Sequence, residues 1–405
     1  MKKILLIVID GLGDKPILEL ENKTPLEAAK TPNLDWLANQ GICGQVLPFQ
    51  FPQQEKPESD TCHLALFGYD PKIYYLGRGP YEAAGVGIKL REGDVALRVN
   101  FATVDENLKV IDRRAGRIEK TQPLIKALSK IKIKGIKFIL KKSYGHRAVL
   151  VLHCLKCNFK HLSARVSDGD PRRIGVKAKK ILPLDNSKKV KFTAKILNEF
   201  LEKAHQILKN HPLNRERIKN GLLPANFLLV RGAGKLGKTP SFKEKYNLKA
   251  VCIAGGALYK GIAKILGMKE IKVKGATGLA NTNLKGKIQA VKKALKRSAF
   301  VFLHIKAADS LAEDGNFLGK MKFIEKIDRN LKLILNLKDT LIVVTADHST
   351  CSLLKRHCLE SIPTLIYGNG QDSVKEFSEK ACKKGGLGQI SQLNLMKKIM
   401  EIQLQ

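Results

Sequence analysis

Three apolar runs in this chain lead into residues of the kind that bind metal ions. Ile4–Ile9 runs into Asp10 and Gly11, Ala299–Ile305 is followed by Asp309, and Thr340–Thr345 is followed by Asp347 and His348. A lone aspartate after a strand is ordinarily a turn or a helix cap. Three of them, one carrying Asp-His, point to a shared cation site, because clustered carboxylates otherwise repel one another. Glu313, four residues after Asp309, and His357, nine after His348, extend the donor set. Carboxylate with imidazole suits Mn²⁺ or Zn²⁺. A pair of such ions can clamp both oxygens of a phosphoryl group in transfer and lower the pKa of a bound hydroxyl. Ser59, in Pro57-Glu58-Ser59-Asp60-Thr61, is the candidate hydroxyl. It stands ahead of the helical pattern His63, Leu64, Leu66, Phe67, and a helix N-terminus stabilises a phosphoryl group. The competing reading of Ser59 is a plain N-cap.

The elements that must position these residues follow from hydrophobic pattern. Ile4–Ile9 is a continuous Ile/Leu/Val run, which suits a strand buried on both faces. Thr24-Pro25-Leu26-Glu27 is a capping box, and Thr31-Pro32 opens a second helix carrying Leu34, Leu37 and Ala38 on one face. From Gly77 to about Thr239 the texture changes. Short alternating runs (Val95–Thr103, Arg147–Leu155) sit between Lys-rich helical stretches such as Ile125–Lys142, with a long helix over Thr193–Asn210. Buried-strand patterns return at Leu248–Ala254, Ala299–Ile305, Thr340–Thr345 and Pro363–Gly368, separated by the helical segments Lys285–Arg297 and Phe317–Leu335. This predicts an α/β core with a mostly parallel sheet, residues 1–75 and 240–405, interrupted by a smaller inserted domain, residues 76–239. In such sheets ligands bind beyond the carboxyl ends of the strands, where the acidic residues fall.

The 405 residues are 44% hydrophobic and 27% charged, which excludes disorder and a small disulfide scaffold. Lys+Arg 73 against Asp+Glu 37 gives +36, a field that attracts phosphorylated substrates, nucleic acid or acidic membrane alike. A nucleic-acid surface would interleave aromatics with its basic residues, and Phe138 is the only aromatic in Ile125–Lys142, so no specific nucleic-acid partner is expected. The N-terminal apolar run has six members, shorter than a signal-peptide core, and no run approaches the ~20 apolar residues of a membrane span. A cytoplasmic protein with no membrane partner is expected. Eight cysteines without a framework spacing fit reduced core thiols. Cys154 and Cys157, beside His153 and His161, form a lone CxxC on an alternating apolar run, where zinc would need further convergent ligands. Gly232 to Thr239 spells a P-loop, but Pro240 follows where a phosphate-cradling helix should run, so no nucleotide is expected.

The opening VIDGLGDKPILELENKTPLEAAKTPNLDWLANQG, with SDTCHLALFGYDP, GRGPYEAAGVGI, NFATVDE, DRRAGRI, SDGDP, LLVRGAGK, IAGGALYKGIAK, HIKAAD and TADHST with the later KRH, resembles the archaeal-type cofactor-independent phosphoglycerate mutases of the alkaline phosphatase superfamily. The resemblance implies an alkaline-phosphatase-like three-layer α/β core with an inserted α+β substrate domain. It implies interconversion of 3- and 2-phosphoglycerate, a small anionic phosphorylated substrate, with two divalent ions and without 2,3-bisphosphoglycerate. The ions would be Mn²⁺ first, with Mg²⁺, Zn²⁺ or Co²⁺ as alternatives. By position, Ser59 looks like the transiently phosphorylated serine, and Asp10, Ser59, Asp347 and His348 like the ligands of one metal. Asp309, Glu313 and His357 look like those of the other. Arg113, Arg117, Arg231, Lys260 and Arg78 are the implied substrate-binding cations, each with surface charge as its alternative. Closure of the insert over the core would keep water from phosphoserine. In two places the chain departs from the pattern. Glu313 stands where the family has histidine, which favours harder ions, and Cys351 stands where the family tends to carry proline. A metal-dependent phosphatase or a homoserine kinase-like phosphotransferase of the same superfamily is the alternative.

Overall fold

The computed structural model describes residues 2–155 and 162–404. The chain divides into two compact units, Met1–Tyr75 with Thr239–Gln405, and Leu76–Lys238.

The first unit is built on an eight-stranded sheet in the order Gly388–Ser391, Gly41–Leu47, Ile362–Tyr367, Thr340–Thr345, Lys3–Ile9, Phe300–Ile305, Ala250–Ile253, Lys269–Glu270. Lys3–Ile9 lies parallel between Thr340–Thr345 and Phe300–Ile305, whereas Ile362–Tyr367 is antiparallel to both its neighbours. Ile4 to Ile9 are all fully buried, so both faces of the sheet are covered, as an unbroken apolar strand requires. The register then sets the chemistry. Val8 pairs with Thr345 and Ile9 with Ile305, so the chain leaves the sheet at Asp10, Lys306 and Ala346–Asp347 along one edge. The Thr24 box forms as expected, with Glu27 N donating to Thr24 Oγ1 and Thr24 N to Glu27 Oε2.

The second unit is α+β. Val110–Asp112, Val95–Val104, Arg147–Cys154 and Ile136–Lys142 form an antiparallel sheet in that order, and Phe227–Gly234 also pairs with Val95–Val104. The helix Lys188–Lys209 lays Val190, Ala194, Leu197, Phe200, Ala204 and Leu208 into its core, where Phe200 stacks on Phe138 at 4.5 Å.

Two expectations are corrected. Ile125–Lys142 is not one helical stretch: a helix spans Gln122–Leu128, and Ile136–Lys142 is a strand. Gly135 (φ +81) breaks the segment, and the strand pairs along its whole length with Arg147–Cys154, a partner local lysine spacing does not reveal. Nor are all the cysteines reduced. Cys351 and Cys358 form a disulfide, and Cys154 is also disulfide-bonded; Cys43, Cys62, Cys252 and Cys382 are free and buried. A hairpin pairs Ser349 with Cys358 and Cys351 with Arg356, which leaves the two cysteines 5.9 Å apart at Cα, within bonding reach. Cys157 and His161 lie outside the described residues. His153 Nδ1 is committed to Asp94 Oδ1 at 2.6 Å. In the P-loop-like stretch Gly232 and Gly234 lie within the strand Phe227–Gly234, and no helix follows until Phe242–Tyr246, so the pattern has no phosphate cradle. Among the described residues no helix is long and apolar enough to cross a membrane.

Candidate active site

Asp10 follows directly from its strand, and Gly11 turns the chain away with φ +69. A Cβ there would meet Thr350 Oγ1 at 2.6 Å and Asp309 Cβ at 2.7 Å, so only glycine lets these groups close on Asp10. Asp309 sits in the helix Ala307–Glu313, which starts straight after the strand Phe300–Ile305. Asp347 and His348 fill the gap between Thr340–Thr345 and the hairpin Ser349–Cys351/Arg356–Cys358, whose return strand delivers His357.

Two donor groups result: Asp10, Asp347 and His348, and Asp309, His348 and His357, each with its ligand atoms within 4.8 Å of one another and all buried. His348 Nε2 lies 3.2 Å from Asp347 Oδ2 and 3.8 Å from Asp10 Oδ1. His357 Nε2 lies 3.3 Å from Asp309 Oδ1 and 3.9 Å from Glu313 Oε1, and the two imidazoles stack at 3.7 Å. Pro57 O can only accept, so His357 Nδ1–H donates to it at 2.8 Å and Nε2 is left as the atom that could ligate a metal. Thr350 Oγ1 donates to Asp309 Oδ1 at 2.8 Å and therefore accepts from His348 Nδ1 at 3.2 Å, which turns His348 Nε2 toward the carboxylates. Ser59 is not an N-cap. Glu58 holds that position, and Ser59 is the first helical residue, its Oγ 3.1 Å from His348 Nε2. His63, one turn on, donates from Nδ1 to Ser59 O at 2.7 Å and fixes that turn.

The electrostatics are those of a site that wants cations. Burial, then Asp347, raises the Asp10 carboxyl to about 6. Burial also works against Asp347, but His348 and His63 outweigh it and hold that carboxyl far below the usual range. His348 is pushed up to about 9, its burial outweighed by Asp347. Asp347 Oδ2 is buried with no aligned hydrogen-bond donor, the charge of His348 lying at 3.2 Å, which leaves room for a metal ion to satisfy it. Carboxylate and imidazole without thiolate fit Mn²⁺, Mg²⁺ or Zn²⁺, and Glu313 adds a hard oxygen at the second group.

The expected substrate cations are placed as follows. Arg113 makes a bidentate pair with Asp170 at 3.0 and 2.7 Å, and Arg117 is exposed. Arg78 Nε donates to Glu82 Oε1 at 3.3 Å. Arg231 is the register partner of Arg98 across adjacent strands. Lys260, in the first unit, lies 3.5 Å from Glu270, which Lys264 also pairs with at 2.6 Å.

Sequence reasoning missed several neighbours. Lys306 Nζ is 3.3 Å from Asp10 Oδ1 and 2.5 Å from Asp309 Oδ2. These two carboxylates outweigh burial and hold its pKa well above the ordinary value. His304 Nε2–H donates to Asp10 Oδ2 at 3.0 Å, with Tyr259 stacked on its ring at 3.5 Å. The signal was the spacing His304, Lys306, Asp309 at one strand end. Arg98 is only 5% exposed, and its Nε has no hydrogen-bond partner. Burial and the charges of Arg231, Arg78 and Arg147 depress its pKa, with Glu82 the nearby carboxylate. Like charges directly opposite on adjacent strands destabilise a sheet, and Glu82, facing Arg78 and Arg98, offsets part of that repulsion. Arginine inside an apolar strand, in Ala96-Leu97-Arg98-Val99, was the available clue.

A family model described as 2,3-bisphosphoglycerate-independent phosphoglycerate mutase matches residues 38–214. The chain is 48% identical over 402 residues to 2,3-bisphosphoglycerate-independent phosphoglycerate mutase 1 of Archaeoglobus fulgidus, covering 97% of this chain and 96% of that one. To the corresponding protein of Methanocaldococcus jannaschii it is 46% identical over 407 residues, covering 99% and 97%. The solved cofactor-independent phosphoglycerate mutase of Thermoplasma acidophilum matches it with a TM-score of 0.68 at 39% identity over 100% of both chains. Likeness at that level along almost the whole length means that this chain belongs to the 2,3-bisphosphoglycerate-independent phosphoglycerate mutase family.

Proposed function

We propose that this protein interconverts 3-phosphoglycerate and 2-phosphoglycerate in the cytoplasm, through a phosphoserine at Ser59 and with two divalent cations, Mn²⁺ foremost. The observation that carries this is Ser59 Oγ, buried at the first turn of a helix and 3.1 Å from His348 Nε2, the imidazole common to both donor groups. Asp10, Asp347 and His348 would hold one ion beside Ser59, and Asp309, Glu313 and His357 the other. When bound, the ions withdraw charge from the phosphoryl oxygens and acidify the Ser59 hydroxyl.

Ser59 Oγ attacks phosphorus, the bond from phosphorus to the glycerate 3-oxygen breaks, and that oxygen takes up a proton in place of the one Ser59 gives up. The glycerate then presents its 2-hydroxyl, whose oxygen attacks phosphoserine and returns the hydroxyl to Ser59. Free N–H groups at the start of Ser59–Leu66 stabilise the phosphoserine anion. Glycerate must stay bound between the two transfers, which is work for guanidinium and ammonium groups. Arg78, Arg113, Arg117, Arg231 and Lys260 are the proposed holders of its carboxylate and phosphate, joined by Arg98 and Arg147.

The test is ³¹P NMR of 3-phosphoglycerate with Mn²⁺-loaded enzyme, beside Ser59→Ala and mass spectrometry for phosphoserine. Wild type should equilibrate the two phosphoglycerates, and Ser59→Ala should lose at least ~10⁴-fold in rate. A Ser59→Ala enzyme that still interconverts them refutes the covalent route. Inorganic phosphate released without isomerisation would make the protein a phosphatase, and transfer from ATP to homoserine a kinase-like transferase.

A further inference from the structure

Lys306 stands where the two donor groups meet. Its ammonium contacts Asp309 of one group and Asp10 of the other, at 2.5 and 3.3 Å, and lies 5.8 Å from the centre of the buried Tyr259 ring. Lysine ordinarily runs its head out to water. Here the side chain is 15% exposed and turned inward from the N-cap of the helix Ala307–Glu313. Asp10 and Asp309 are the same carboxylates that the metal reading assigns to the two ions. At Asp10 the ammonium shares Oδ1 with His348, and at Asp309 it holds Oδ2 while Oδ1 faces His357, so a dication at either group sits close to the ammonium and repels it. An ion bound at either group therefore loosens the ammonium's hold on Asp10 and Asp309.

Where it can go is limited. Its backbone is fixed between the strand Phe300–Ile305, parallel-paired on both sides, and the helix that follows. The Tyr259 ring faces the ammonium from one side, and His304, stacked on that ring, holds Asp10 Oδ2. A released ammonium so tethered stays close to Asp10 and Asp309, and a charge in so buried a place needs an anion. The phosphoryl group is the anion this site is built to receive.

We propose that Lys306 is a further catalytic residue, a third cation of the phosphoryl site. It bridges Asp10 and Asp309, would yield them to divalent ions, and would then bind the phosphoryl oxygens. This rests on the phosphoryl-transfer reading above and adds a named residue and an order of events to it. Lysine suits the part, since its compact charge on a four-carbon stem can swing between partners, which arginine's rigid fork does less readily. Metal and phosphate binding are then linked: each ion that displaces the ammonium makes it available to phosphate, and phosphate in turn tightens metal binding.

The test needs no turnover. Metal-stripped wild type, Lys306→Met and Lys306→Arg are titrated with Mn²⁺, free ion being read by electron paramagnetic resonance. The Mn²⁺-loaded proteins are then titrated with inorganic phosphate by calorimetry. Losing one charge-assisted contact is worth about tenfold. Lys306→Met should therefore bind Mn²⁺ about tenfold more tightly and phosphate about tenfold more weakly, with Lys306→Arg recovering part of the phosphate affinity. Phosphate should tighten Mn²⁺ binding in wild type and do so less in Lys306→Met. Should Lys306→Met not fold, Lys306→Gln takes its place, keeping a polar head without the charge. Unchanged phosphate affinity overturns the proposal whatever Mn²⁺ does, and unchanged or weakened Mn²⁺ binding overturns the exchange. Neither readout requires isomerisation, so a protein lacking mutase activity would fail the proposed function without deciding this inference.

Discussion

Replacing Lys320 by methionine should destabilise the first unit far more than its distance from the reacting groups suggests. The Lys320 side chain is fully buried, and its Nζ donates to Gly13 O at 3.0 Å, Asp14 Oδ2 at 2.9 Å and Thr350 O at 3.0 Å. Asp14 in turn accepts from Ser352 N at 2.9 Å and Ser352 Oγ at 2.6 Å, and Thr350 N donates to Gly13 O at 2.9 Å. One ammonium thus joins the loop after Asp10 to the strand after His348, the two segments that carry the first donor group. Methionine fills the volume but leaves a buried aspartate without its cation and takes one donor each from Gly13 O and Thr350 O. Breaking a buried ion pair by removing one partner costs about 3–5 kcal/mol. At roughly 2–4 °C per kcal/mol for a unit of this size, Tm should fall by about 10 °C. Trp36, the only tryptophan, lies in this unit against Tyr367 at 5.3 Å, so its fluorescence follows this unit's melting. The double variant Lys320→Met/Asp14→Asn should recover a large part of the loss, because the cost lies mainly in the orphaned charge. A fall below about 3 °C for Lys320→Met, or a double variant no better than the single, would refute the reasoning.

Cys351→Ser, or reduction by a dithiol, removes the clamp on the hairpin that carries His357; closing so short a loop is worth about 2 kcal/mol. Mn²⁺ binding at the Asp309–His357 group should weaken in a calorimetric titration while the Asp10–Asp347 group is spared, and equal affinities before and after would sink the link. Burial raises the Glu379 carboxyl to about 7, against an ordinary value of 4.5. The folded state therefore holds this proton more tightly than the unfolded chain does. The stability it contributes is fully present below pH 4.5 and is lost as pH rises through 7. Wild-type Tm should fall between pH 5 and 8, and Glu379→Gln should flatten that fall; an unaltered profile counts against it. Arg98→Met removes one of two opposed cations, so it should stabilise the second unit without ligand yet raise KM for 3-phosphoglycerate about tenfold. Steady-state kinetics beside differential scanning calorimetry would read both, and an unchanged KM would exclude Arg98 from substrate binding.

How much of this was legible in the chain depends on the range of the cause. Ile4–Ile9 read as a strand covered on both faces because six apolar residues in a row leave no wet side, and every one is buried. Thr24 and Glu27 read as a capping box because that interaction is complete within four residues. The seven residues proposed as the metal and phosphoryl set were recognisable by type and by their places after strands. The structure links them through contacts that run from Glu313 through His357, Asp309, Thr350 and His348 to Ser59, Asp347 and Asp10. Ile136–Lys142 was misread because a strand's partner, here Arg147–Cys154, outweighs a lysine pattern that allows either structure.

By itself the sequence determined which donors exist, which elements they terminate and where the chain is interrupted, since apolar period, caps and turn residues act over a few neighbours. The tertiary structure alone decided which of them meet. Sheet register brought Lys306 level with Asp10 and set Arg98 opposite Arg231, and a hairpin closed Cys351 onto Cys358 beside His357. These contacts join residues that lie up to hundreds of positions apart, and their energies depend on burial and on partners that no local pattern records.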